Sequence, residues 1–387
     1  MFAKNLTELE LAALSPDVVN LSDGHARQSL AGSTRDRIRE VMDTMMGGRP
    51  VDYFEAERRF LNDLSWHTGQ EYPDGRTFVT YASSVAMGMV ATHLRRLGRP
   101  VGIMCPTFDN IPGILRTMDV EPVAIPERNL APSTDLDRLK ASGVGALVLV
   151  VPNNPTGCRP TREIVHALME WAADNDVLLV LDVAFRWFDD ATKWDLIRAA
   201  DERGADVISI DDTGKALSFS DLKAAIIGTS RRLAAPMQAI HTQYVLNVSE
   251  MVLRILSTLM DPGRVDNEIA NARRTVAANR AYLDAGLAAS LAVVGHDPRM
   301  PSRNDGLSVE WLALPGCRDR VVGACRDRGV EVLTGDHFYW SPDTAGRGRY
   351  VRLALMRDPA YFARGADVFV EALAAESRPT RTLARVR

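Results

Sequence analysis

Between about residues 76 and 228 the chain alternates short β-branched or apolar runs with longer stretches in which apolar positions recur every three or four residues. The alternation predicts strands at 77–81, 101–104, 122–125, 146–151, 177–181, 206–210 and 222–227, and helices at 85–97, 110–118, 162–174 and 193–203. Strands separated by single helices build a mostly parallel sheet with crossover connections, so an α/β domain is expected. After Asp261-Pro-Gly the pattern changes to a long Ala- and Arg-rich helix at 267–289, strands at 307–312 and 350–354, and helices at 318–328 and 359–375. That mixture predicts a smaller α+β domain. The first 45 residues lack strand character and are expected to join it, dividing the chain into an N-terminal lid segment (1–45), a large domain (46–262) and a small domain (263–387). The basic, apolar-poor end at 377–387 predicts a frayed tail.

A length of 387 residues suits two such domains. Composition adds little beyond exclusions: 46 basic residues against 50 acidic ones offer no electrostatic footprint for nucleic acid. The longest apolar run, near 144–151, is far short of the roughly 20 residues that span a bilayer, and the N-terminus has no apolar signal region. A cytoplasmic protein that binds neither membrane nor nucleic acid is expected. Four cysteines without CxxC spacing and seven unclustered histidines support neither a disulfide framework nor a metal site.

Candidate chemistry sits at predicted strand ends, where open α/β sheets bind ligands. Asn154 lies in Val151-Pro-Asn-Asn-Pro-Thr-Gly157, directly after one strand. Asp182 ends the next, and Lys215 closes Ser209-Ile-Asp-Asp-Thr-Gly-Lys215 after a third. Taken singly these are a turn, a strand-end acid and a surface lysine. Together an amide, a carboxylate and an amine suit pyridoxal 5′-phosphate: the amine forms a Schiff base, the carboxylate keeps the pyridine nitrogen protonated, and the amide meets the ring hydroxyl. Ser83 and Ser84, before a predicted helix, offer a phosphate cradle at a helix N-terminus, although Ser84 could equally be a plain cap. Lys223 can return a second cation to the phosphate, and Phe108 can stack on the ring.

In order and spacing, Asn154, Asp182 and Lys215 resemble the fold-type I pyridoxal-phosphate enzymes of the aspartate aminotransferase superfamily. The resemblance covers nearly the whole chain, because Tyr350-Val-Arg-Leu353 is similar to the segment whose arginine holds the substrate α-carboxylate; the planar fork of Arg352 suits that task. Three positions depart from ordinary aminotransferases: Phe185 stands where a tyrosine is usual, Lys223 where arginine is usual, and Asp212 where a phosphate-binding serine is common. A carboxylate beside a phosphate is repulsive, so Asp212 is expected to turn toward a cationic substrate.

Five strings resemble a narrower group, the oxygen-using L-arginine oxidases and hydroxylases of enduracididine-type and nitroimidazole antibiotic pathways. They are Asn5-Leu-Thr-Glu-Leu-Glu10, Asp23-Gly-His-Ala-Arg-Gln28, Pro106-Thr-Phe-Asp-Asn110, Asp212-Thr-Gly-Lys215 and Asp221-Leu-Lys223. This resemblance implies that Glu10 and Asp212 bind a guanidinium, that Thr7 and Asp23 line an N-terminal lid, and that His25 reaches the reacting carbon or a water. It also implies a homodimer, dioxygen as co-substrate, and 4-hydroxy-2-oxo-5-guanidinopentanoate, 2-oxo-5-guanidinopentanoate or both as products, formed through a Lys215 aldimine and a quinonoid. Read without it, Thr7 and Glu10 form a T-x-x-E capping box, His25 is a structural histidine, and Asp23-Gly24 is a turn. An aminotransferase of arginine or another basic amino acid is the alternative activity. A non-catalytic pyridoxal-phosphate sensor is disfavoured, because no basic helix-turn-helix segment precedes the enzyme-like stretch.

Overall fold

A computed structural model describes residues 5–48, 52–129, 136–217, 219, 221–301, 303–342 and 346–377. Its strands are β1 (Val19–Asn20), β2 (Thr77–Thr80), β3 (Val101–Cys105), β4 (Pro122–Pro126), β5 (Ala146–Val150), β6 (Leu178–Asp182), β7 (Val207–Asp212), β8 (Ala225–Thr229), β9 (Val309–Ala313), β10 (Val330–Glu331), β11 (Leu333–Thr334) and β12 (Tyr350–Ala354). Seven of them form one sheet in the order β2-β8-β7-β6-β5-β3-β4. β8 alone runs against its neighbours; β7, β6, β5, β3 and β4 pair in parallel.

The centre of this sheet is buried along its whole length, β5 (Ala-Leu-Val-Leu-Val) and β6 (Leu-Leu-Val-Leu-Asp) having no exposed position. Such unbroken apolar runs belong to parallel strands covered on both faces, and here the cover includes helices Ser83–Leu97, Arg162–Asp174 and Leu196–Arg203. The last of these starts three residues later than the periodicity predicts, because Asp195 caps it by accepting the Arg198 N–H. Asn267 likewise caps the 27-residue helix Glu268–Val294.

Two smaller sheets lie outside the large one: antiparallel β11-β12-β9 and the parallel pair β1-β10. The second corrects the reading of the N-terminal segment as free of strands, since Val19 and Asn20 pair with Val330 and Glu331. Two residues are too few for a period-2 pattern, so the pairing carries no local signal. It ties the N-terminal segment to the chain's last third. Apart from Ser377, the expected frayed tail lies outside the described residues.

Candidate active site

The carboxyl ends of β5, β6 and β7 open into one cavity of about 190 Å³, walled also by the N-terminal segment and by β12. Of the residues singled out in the sequence, Thr7, Glu10, His25, Ser83, Ser84, Phe108, Asn154, Asp182, Asp212, Lys215, Lys223 and Arg352 all line it. Asp23 stands behind His25. Positions more than three hundred residues apart thus converge where the sheet's strand ends face outward.

Asp182 ends β6 at the cavity base and accepts the Ala184 N–H at 3.1 Å. Burial pushes its carboxyl up to about 7; the Ala184 bond and the Lys215 charge pull down, and the Asp212 and Asp211 charges push up. Lys215 sits on the short turn Thr213–Lys215, which Asp212 caps through its bond to the Gly214 N–H at 2.7 Å. Its Nζ lies 5.6 Å from the centre of the Phe185 ring and 3.3 Å from His25 Nε2.

His25 is oriented from behind. Its Nδ1 is 2.6 Å from Asp23 Oδ1, and a carboxylate only accepts, so Nδ1 carries a proton and Nε2 faces the lysine. Burial alone would raise the Asp23 pKa. The hydrogen bond and charge of His25, with the Arg357 guanidinium, outweigh that and hold Asp23 well below the usual carboxylate range. Arg357 is a residue that sequence reasoning missed: buried, it donates to the carbonyls of Asn20, Asp23 and His25 and so pins the backbone that presents both side chains. Nothing in Met356-Arg-Asp distinguishes it from a surface arginine.

Asn154 follows β5 in a loop held by Asn153, whose amide donates to the Pro106 carbonyl at 2.8 Å and to Glu127 at 2.6 Å. The Asn154 oxygen accepts from Arg352 Nη1 at 3.0 Å, leaving its amide hydrogens to donate. Arg352, on β12, is wholly buried and also pairs with Glu10 and the Ser22 carbonyl. Phe108 borders the cavity and packs against Phe338 at 6.3 Å.

The helix Ser83–Leu97 begins at Ala82, which has no side-chain oxygen to cap it. An uncapped first turn is a site for an anion. Here the Ser83 N–H is met by Asp212 Oδ2 at 3.0 Å, so Asp212 faces the cradle rather than turning away from it as its charge suggests. The reason is electrostatic: free N–H groups at a helix start attract a neighbouring carboxylate. Glu10 and Asp212 therefore border the same cavity but engage different groups, Glu10 holding Arg352 and Asp212 holding backbone N–H groups. Nor is Glu10 part of a cap. Asn5 and Glu8 form the capping box of helix Leu6–Ala12, displacing the T-x-x-E alternative by two residues.

This donor set fits pyridoxal phosphate: an amine on a turn, a buried acid in the same cavity, an amide with hydrogens to give, and, with the Lys223 cation, a helix start that has no cap of its own and whose Ser83 N–H a phosphate could take from Asp212. Gly214 lets the Lys215 turn pass close to Lys223, since a Cβ there would come within 2.8 Å of the Lys223 side chain.

The family model "Aminotransferase class I and II" matches residues 66–349. A probable aspartate/prephenate aminotransferase of Thermus aquaticus is 25% identical over 186 residues, 46% of this chain and 49% of that protein. A histidinol-phosphate aminotransferase of Rubrobacter xylanophilus is 37% identical over 86 residues, 21% of this chain and 24% of that protein. The matched stretches thus span about half and about a quarter of these curated relatives. Among solved structures, MppP soaked with the product 2-ketoarginine superposes with a TM-score of 0.82 at 28% identity, covering 92% of this chain and 99% of that one. Aspartate aminotransferase from Thermus thermophilus with maleate gives 0.73 at 17% identity over 96% of this chain and 97% of that one, a likeness of fold. With its sheet order, its strand-end acid and lysine and a family match across most of its length, the chain belongs to the class I and II aminotransferase family and has the fold type I architecture of pyridoxal-phosphate enzymes.

Proposed function

We propose that this protein is an oxygen-consuming oxidase or hydroxylase of L-arginine. It converts the amino acid to 2-oxo-5-guanidinopentanoate, its 4-hydroxy derivative or both, with release of ammonia. The observation that carries the reading is a cavity bordered by one carboxylate-binding cation, Arg352, and two acids, Glu10 and Asp212, with a His25–Asp23 pair against the lysine. An α-amino acid with a cationic end matches those charges. The likeness to MppP, whose structure was soaked with 2-ketoarginine, supports the same substrate class.

Pyridoxal phosphate, when bound, supplies the electron sink that makes the substrate α-proton acidic. Lys215 would carry it, Asp182 would serve its ring nitrogen and Asn154 its ring hydroxyl, the start of helix Ser83–Leu97 with Ser84 and Lys223 would hold its phosphate, and Phe108 would cover its ring. Arg352 holds the substrate carboxylate. With a phosphate accepting the Ser83 N–H in its place, Asp212 would be released to join Glu10 on the guanidinium. Lys215 Nζ takes the α-proton. His25 Nε2, held toward the lysine by the Asp23 bond at Nδ1, receives and returns protons there or orients a water. Dioxygen accepts the electrons that the substrate loses and leaves as peroxide or water, while water supplies the keto oxygen and, in the hydroxylase, the 4-hydroxyl.

The enzyme works as a cytoplasmic homodimer in this reading. Phe54, Tyr81, Tyr244, Leu246 and Met251 are exposed apolar side chains on neighbouring segments, Tyr81 donating to the Asn247 carbonyl, and a second copy would cover them. Among the described residues no helix is long and apolar enough to cross a membrane.

Transamination of arginine or another basic amino acid is the second reading, favoured by the family and by the relatives' names. Oxygen uptake by the purified protein given L-arginine and no keto acid, with mass spectrometry of the product, decides between them. Uptake with a product one oxygen heavier than 2-oxo-5-guanidinopentanoate is the hydroxylase; uptake with that keto acid alone is the oxidase. Turnover only after addition of pyruvate or 2-oxoglutarate would return the protein to transamination.

A further inference from the structure

Glu10 and Arg352, assigned above to opposite ends of the substrate, hold each other. Arg352 Nη2 is 2.5 Å from Glu10 Oε1 and 2.5 Å from the Ser22 carbonyl, and Nη1 is engaged by Asn154 at 3.0 Å. Its Nε–H is buried and has no partner among the described residues. Glu10 is itself buried and accepts the Gly24 N–H at 3.3 Å besides the guanidinium. The Gly24 backbone passes close to the pair, a Cβ built there standing 3.4 Å from Nη2.

We propose that Glu10 is a specificity-determining residue that reserves Arg352 for ligands with a cation at the far end. Both Nη2 hydrogens are engaged, by Glu10 and by the Ser22 carbonyl, so a carboxylate that takes Nε together with Nη2 in the fork geometry displaces one of them, and Glu10 is the partner carried on a side chain that can move away. The displaced carboxylate is then a buried charge without a counterion, a costly arrangement unless the same ligand brings one. A ligand with both an α-carboxylate and a distal cation replaces each half of the pair; an acid with an apolar end replaces only one. Glu10 thereby discriminates twice, by attracting the guanidinium and by withholding Arg352 from acids that lack it. The inference rests on the substrate reading above and adds to it a reason why ordinary amino acids and keto acids are excluded.

Two carboxylates without an α-amine, hexanoate and 5-guanidinopentanoate, test it by calorimetric titration of the cofactor-loaded protein. Glu10→Gln removes the charge but keeps the shape. It is expected to tighten hexanoate at least about tenfold, equivalent to about 1.4 kcal/mol, while weakening 5-guanidinopentanoate. Asp212→Asn, which takes the same charge from the cavity without touching Arg352, is expected to leave hexanoate unchanged. An unchanged hexanoate affinity in Glu10→Gln, or an equal gain in Asp212→Asn, overturns the proposal. Wild type gives a test that needs no variant: ethylguanidinium, by compensating the displaced Glu10, should tighten butyrate binding, and butyrate should tighten ethylguanidinium by the same factor. Independence of the two ligands also overturns it. Arginine turnover without this coupling would leave the substrate reading standing; coupling without arginine turnover would sink only that reading.

Discussion

Asp182 shows how one side chain's surroundings become a measurable property of the protein. Its carboxyl is raised to about 7 by burial, from an ordinary value of 3.8. Between those values the folded protein retains a proton that the unfolded chain has lost, so this group's contribution to stability falls as pH rises from about 4 to about 7 and is level above. Thermal melting of the cofactor-free protein is therefore expected to show a wild-type midpoint that drops by several degrees more than that of Asp182→Asn between pH 5 and pH 8. Parallel curves for the two proteins would place the raised group elsewhere. A bound pyridinium favours the carboxylate, so cofactor should flatten the wild-type curve. His25 is tested at the same scale. If its Nε2 takes part in product formation, His25→Ala should lower turnover by at least tenfold or change the ratio of hydroxylated to unhydroxylated keto acid; a variant that keeps both would make the Asp23–His25 pair structural.

Among the elements, the helix Leu6–Ala12 is the one whose placement the site needs most, since it presents Thr7 and Glu10 to the cavity. Seven residues do not hold a helix by propensity alone. Its start is secured by the Asn5–Glu8 box and by Asp109, whose carboxylate accepts the Leu6 N–H at 3.1 and 3.3 Å. Leu6, fully buried, belongs to a small cluster with Trp311, Leu333 and Phe338. Asp109→Ala removes the charge at the helix start, an interaction worth about 1 kcal/mol, and is expected to raise the KM for arginine about fivefold. Steady-state kinetics with an unchanged KM would mean that the helix docks without this contact. Length alone does not make an element legible: helices Gly32–Met46, Tyr53–Thr68, Ala234–Tyr244 and Glu250–Met260 are not among those that the periodicity predicts. The parallel strands and helices Glu268–Val294, Arg318–Asp327 and Pro359–Glu376 emerge from periodicity within five residues of their ends, whereas β1, β10 and β11, of two residues each, do not.

For the whole molecule, the sheet order puts β5, β6 and β7 side by side, and this adjacency converts three separate stretches of chain into one site. The exposed apolar side chains Phe54, Tyr81, Tyr244, Leu246 and Met251 make the proposed homodimer testable. Leu246 is almost fully exposed, and if the proposed dimer covers it, Leu246→Glu is expected to shift sedimentation equilibrium toward the monomer. A wild-type protein that sediments as a monomer would remove the dimer from the reading. The N-terminal segment acts over the same scale, with β1 on β10 and the Arg357 guanidinium on the Asn20–His25 backbone tying the chain's beginning to its end.

The sequence by itself determined the α/β alternation and the identity of the strand-end chemistry, because both are local. Periodicity is read within one element, and Asn154, Asp182 and Lys215 each stand next to the strand that carries them. It also held the candidate set that lines the cavity, from Thr7 to Arg352. Only the tertiary structure decided who pairs with whom. Glu10 meets Arg352 across the length of the chain, Asp212 takes the Ser83 N–H of a helix that begins far upstream, and Arg357 spends its donors on carbonyls of the N-terminal segment. Hydrogen bonds between distant residues depend on how whole elements pack, and burial is a property of that packing; no window along the chain contains either.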